Sequence, residues 1–211
     1  MGSPPRSTTA PADYNPGQEN TDANLISAEG LHADDLSRTN SDAEGDACDP
    51  DDDNDGMPDA DELSPPGGCP ASSPTALDTD GDRVTDGAEC TLGTDPTSAG
   101  SKPTAAACAS YLGVSVIADT DGDGLRDYIE FCGYGSDPAN ADSDTDPGAD
   151  GCEAISLNND LKVNSGDQLL LLQEYLRAPP PAKLANYDLN KDGPINSGDQ
   201  LLMLQFFGKC P

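Results

Sequence analysis

Four twelve-residue stretches of the chain carry acids at the same five positions, and this spacing constrains the fold more than any apolar pattern. In DDDNDGMPDADE (51–62), Asp51, Asp53, Asp55, Asp59 and Glu62 stand at positions 1, 3, 5, 9 and 12. DTDGDRVTDGAE (78–89) repeats this with Asp78, Asp80, Asp82, Asp86 and Glu89. DTDGDGLRDYIE (119–130) does so with Asp119, Asp121, Asp123, Asp127 and Glu130. A hard cation such as Ca2+ takes about six to eight oxygen ligands, and one loop of this spacing supplies them. Positions 1, 3 and 5 offer carboxylates, position 7 a backbone carbonyl (Met57, Val84, Leu125), position 9 a water-bridged acid and position 12 a bidentate one. Gly56 and Gly124 at position 6 let the chain turn sharply around the ion. Two loops depart from the pattern. Arg83 replaces that glycine in the second, so its turn costs more. DSDTDPGADGCE (142–153) keeps Asp142, Asp144, Asp146, Asp150 and Glu153, but Pro147 stands at position 6 and cannot adopt positive φ.

Composition explains why such loops are needed. Forty acidic against 10 basic residues leave a net charge of -30, and only 34% of residues are apolar. A globular domain runs nearer about 45–50% apolar, and a chain this polar and charged stays disordered unless its charge is neutralised. The same charge repels nucleic acid and anionic membranes, and no run of 18 apolar residues exists to span a bilayer. Seven cysteines (Cys48, Cys69, Cys90, Cys108, Cys132, Cys152, Cys210) with no C-x-x-C pair and a single histidine, His32, indicate disulfides rather than zinc. Sequential pairing gives 48–69, 90–108 and 132–152, with Cys210 over; a shifted scheme gives 69–90, 108–132 and 152–210, with Cys48 over. Both remain open on sequence. Oxidised cysteines imply an extracellular setting, yet MGSPPRSTTAPADYNPG has no apolar stretch for a secretory signal.

The C-terminal region changes character. VNSGDQLLLLQ (163–173) and INSGDQLLMLQ (195–205) are near-duplicates, 32 residues apart. The loop before the second copy (188–199) places Asp188, Asn190, Asp192, Asn196 and Asp199 at positions 1, 3, 5, 9 and 12, with Gly193 at 6 and the Pro194 carbonyl at 7. The loop before the first (156–167) keeps Asn158, Asp160, Asn164 and Asp167 but has Ser156 at position 1 and Leu161 at 6, which weakens it. Each copy is expected to run on into a helix with Asp167 or Asp199 near its positive end. Leu169, Leu172, Leu176 and Leu201, Leu204 have helical apolar spacing, APPP (178–181) stops the first helix and Gly208 closes the second. The two helices are expected to pack antiparallel on one small core, with one of Phe206 and Phe207 facing outward.

The stretches NPGQENTD (15–22), GDACDPDDDNDGMPD (45–59), TDGDRVTDGAE (79–89) and TDGDGLRDYIE (120–130) resemble thrombospondin type 3 repeats, and GTDP (93–96) and GSDP (135–138) resemble the connecting element of bacterial forms. The segment 23–41 departs from the resemblance by replacing an acidic loop. The duplicated loop–helix unit resembles a dockerin domain. Together these resemblances imply a mostly irregular, calcium-stapled repeat array over 14–153 and a small α-helical domain over 154–211, after a flexible segment, 1–13. About four to six Ca2+ ions are expected. The dockerin resemblance implies a cohesin partner docking on Ser165, Gly166, Ser197, Gly198 and the adjoining helix surfaces; Phe206 and Phe207 join the candidate contacts. A second copy of the chain is the other protein partner to weigh, through calcium-dependent filament assembly. Catalysis is not expected: there is no G-x-S-x-G motif, and the carboxylates are committed to loop spacing.

Overall fold

The computed structural model describes residues 20–21, 45–144, 148–158, 160–175 and 187–210. The segment 23–41 (with His32), Asp146, Pro147, Leu176 and the 178–181 run lie outside the described residues. Among the described residues there are helices and turns but no strand. An acidic loop spends its early backbone amides on its own carboxylates, so the helix that follows starts only within the loop's last four positions. Helices α1 (Asp59–Leu63) and α2 (Asp86–Leu92) begin at position 9 of the first two loops. An additional helix, α3 (Ala105–Leu112), precedes the third loop, capped by the Thr104 hydroxyl and ended by Gly113 at φ 74°. Helix α4 (Asp127–Ile129) passes into a π-helical turn, Glu130–Tyr134, and α5 (Asp150–Ile155) follows the fourth loop. The C-terminal copies form α6 (Ser165–Tyr175) and α7 (Ser197–Phe206).

The disulfides are Cys69–Cys90, Cys108–Cys132 and Cys152–Cys210, with Cys48 left over. The shifted scheme is therefore the one adopted. Two small cores accompany the bridges. Val84, Ala88, Cys108 and Cys132 pack with Leu92, Tyr128 and Phe131, and Tyr111 stacks on Phe131 at 5.3 Å. The larger core joins Leu125, Cys152 and Ile155 to Val163, Leu171, Tyr187, Leu189, Leu202, Met203 and Phe206. It thus runs across the 153/154 boundary, because neither the third loop nor the helix pair has enough apolar surface to form a core alone.

Polar contacts reinforce the same seam. Arg83 Nε lies 2.6 Å from Asp188 Oδ2, the Tyr134 hydroxyl donates to the Leu189 carbonyl at 3.2 Å, and Lys191 Nζ sits 4.1 Å from the Tyr134 ring centroid. The position-6 substitution in the second loop is also visible in the backbone. Arg83 adopts φ 79°, the left-handed conformation that Gly56 and Gly124 adopt in their loops, at a cost of about 1–2 kcal/mol relative to a relaxed residue.

Candidate metal centres and docking face

The loop carboxylates are arranged by backbone amides two or more residues on. In the first loop Asp55 N donates to Asp53 Oδ1 (3.2 Å) and Met57 N to Asp55 Oδ1 (2.7 Å). The second loop repeats this with Asp82 N on Asp80 (3.1 Å) and Val84 N on Asp82 (3.1 Å); the third with Asp123 N on Asp121 (3.1 Å) and Leu125 N on Asp123 (2.7 Å). Oxygens of Asp51, Asp53 and Asp55 come within 4.8 Å of one another, as do those of Asp78, Asp80 and Asp82 and of Asp119, Asp121 and Asp123. Met57, Val84 and Leu125 turn buried side chains inward, so position 7 ties each loop to the interior.

Position 9 has a role that the spacing did not show. Asp59 accepts from Asp52 N; Asp86, Asp127 and Asp150 each accept both the amide and the hydroxyl of Thr79, Thr120 and Ser143 at position 2. These acids thereby close the loop on itself. In the fourth loop, the described residues Asp150 and Glu153 are buried, and Asp142 and Asp144 half-buried.

Oxygen donors with nothing else to bind them point to a hard cation. Glu62, Glu89 and Glu130, the position-12 acids, are fully buried, and Glu62 Oε2 and both oxygens of Glu89 and Glu130 have no hydrogen-bond partner. Asp53 Oδ2, Asp82 Oδ2 and Asp121 Oδ2 are likewise unpartnered. Burial pushes Asp53, Glu62 and Glu89 up to about 8, with neighbouring carboxylates adding to it, and pushes Glu130 up to about 9. Buried like charges of this density need a cation, and the all-oxygen donor set fits Ca2+.

The sign of the pH effect follows. The ion-free folded values lie above the ordinary ones, so near neutrality these groups hold protons that the ion must displace, and the ion-free fold gains stability as pH falls through them. Calcium affinity should therefore drop as pH falls from about 9 to about 6, with protons released on binding. Calorimetry in buffers of different ionisation enthalpy measures that release; binding heats independent of buffer would contradict it.

The C-terminal loops use the same amide pattern with asparagine. Asp160 N donates to Asn158, and Asp192 N to Asn190. Asp167 accepts from Asn158 N and Asn164 N, and Asp199 from Asn190 N and Asn196 N. Asp188 receives Asp192 N and Gly193 N, whereas Ser156 in the other copy spends its hydroxyl on Asn158. The Pro194 carbonyl accepts from the side-chain Nδ2 of Asn196. Leu161, at position 6 of the first copy, is held at φ 58°, a turn that glycine makes without strain.

Ser165 and Ser197 are exposed at the starts of α6 and α7, with Gly166 and Gly198 half-buried beside them under Asn164 and Asn196. The helix faces differ from the expected stripe. Leu171, Leu202 and Met203 are buried, whereas Leu169 (57% exposed), Leu201 (62%) and Leu204 (46%) face outward. Phe206 also needs correcting as a contact residue: it is 2% exposed, inside the core, and Phe207 alone of the pair is exposed. Outward residues match between the copies, Leu169 with Leu201 and Tyr175 with Phe207.

Comparison with known families finds two matches. Residues 51–64, 78–99 and 119–141 match the bacterial TSP3 repeat, and 157–207 match the dockerin type I domain. Residues 14–50 and the fourth loop lie outside these matches. No curated protein and no solved structure matches the chain. Both families are structural or binding domains rather than catalytic ones. No helix among the described residues is long and apolar enough to cross a membrane. The chain thus carries three segments similar to the bacterial TSP3 repeat, followed by one similar to the dockerin type I domain.

Proposed function

We propose that this is an extracellular calcium-binding assembly protein, in which Ca2+ stiffens the repeat array and the C-terminal domain docks a cohesin-type partner. About four to six ions occupy the loops: Asp51–Glu62, Asp78–Glu89, Asp119–Glu130 and Asp188–Asp199 first, then 142–153 and 156–167. Three disulfides suit an oxidising compartment. The observation that carries the docking half is the duplicated apolar stripe. Leu169 and Tyr175 on α6, Leu201 and Leu204 on α7 and Phe207 just beyond it stay exposed beside Ser165 and Ser197, and a repeated exposed apolar face marks a protein interface.

The test is calorimetric titration of the calcium-loaded chain with a type I cohesin domain. Leu169→Glu combined with Leu201→Glu should weaken binding at least ~30-fold while leaving the melting temperature in place, since both side chains are solvent-exposed. Cohesin binding that survives the double variant would move the interface elsewhere. No cohesin binding, together with a calcium-dependent dimer by light scattering, would replace the docking reading with self-association.

A further inference from the structure

The acidic loops are joined in pairs. Gly87, at position 10 of the second loop, donates its amide to Asp55 Oδ2 of the first at 2.5 Å, and Gly151, at position 10 of the fourth, donates to Asp123 Oδ2 of the third at 2.5 Å. Both contacts require glycine. A Cβ on Gly87 would lie 2.6 Å from the Asp55 carbonyl oxygen, and one on Gly151 2.9 Å from that of Asp123. The leading loop of each pair carries Ala60 or Tyr128 at this position.

Pairing brings an acid of the trailing loop to the ligand set of the leading one. Oxygens of Asp55, Glu62 and Asp86 lie within 4.8 Å of one another, and all three residues are buried. Glu62 Oε1 accepts from Ser72, and Glu62 Oε2 has no hydrogen-bond partner. In the second pair Glu130 is fully buried with both oxygens unpartnered. Thr79 and Ser143 hold Asp86 and Asp150 by two hydrogen bonds each. An ionised carboxylate has about four lone-pair sites, so both acids keep acceptor capacity for a cation.

We propose that Asp86 is a ligand of the divalent ion in the preceding loop, so that this ion is held jointly by two successive repeats. This rests on the calcium reading of the loops. The shared ion then neutralises charge on both sides of the junction and fixes the angle between the repeats that it joins.

The full chain, titrated with calcium and followed by amide NMR, separates the two ideas. Wild-type Gly56 and Gly124 amides that ignore calcium would refute the calcium reading itself. If they respond, Asp86→Asn should move the Gly56 midpoint to roughly 10-fold higher calcium and leave Gly124 in place. An Asp86→Asn variant that shifts only the 78–89 amides would overturn the sharing of the ion. If an asparagine variant does not fold, Thr79→Val keeps every carboxylate and removes the hydroxyl aiming Asp86. It should raise the Gly56 midpoint by a smaller factor, and an unchanged midpoint would count against the proposal.

Discussion

Removing calcium from the full chain with EGTA is expected to abolish its cooperative thermal transition and most of its helical circular dichroism. With net charge -30 and 34% apolar residues, the chain has little besides ions and disulfides to oppose self-repulsion. Four to six divalent ions would supply about 8–12 positive charges, placed where carboxylates are buried and crowded. Glu62, Glu89 and Glu130 cannot stay both ionised and unpartnered in the interior without the ion. The helices offer no refuge, since runs of this length are marginal alone. The disulfides will keep the chain compact but not ordered. A melting curve identical with and without chelator would defeat the calcium reading of the array.

Phe206→Ala is expected to lower the stability of the calcium-loaded chain by about 3–5 kcal/mol, whereas Phe207→Ala should change it by less than about 0.5 kcal/mol. Phe206 is buried where three elements meet. A Cβ on Gly124 would lie 2.8 Å from its ring and one on Gly151 2.6 Å, so backbone of the third loop and of α5 abuts the aromatic side chain directly. Emptying that space removes contacts from the larger core on both sides of the 153/154 boundary at once. Denaturant melts at saturating calcium measure the difference. Similar losses in the two variants would mean that the seam does not depend on this ring.

The loops were legible because their chemistry is local: spacing, left-handed turns and helix starts all follow from residues within twelve positions. The helix faces were not. In LLLL and LLML every residue is apolar, so periodicity cannot choose a side; Leu125, Ile155 and Val163 choose it by packing on Leu171, Leu202 and Met203. Helix α3 was not among the elements expected from sequence, although Thr104, an alanine run and Gly113 are start and stop signals for it. The pairing of loops also left a mark, in the Asp-Gly at positions 9 and 10 of 78–89 and 142–153 and its absence from 51–62 and 119–130. That mark has meaning only once the close approach of the two backbones is known.

The Cys152–Cys210 bridge spans 58 residues and encloses all of α6 and α7 in one covalent ring. A tensile load applied through a partner on the exposed stripe therefore reaches the array along two strands, the backbone before Ser156 and the bridge into α5. Either strand alone transmits the pull. Should the helices give way under force, the ring limits how far the docking domain can be drawn out, and the tether to the array remains as strong as a covalent bond.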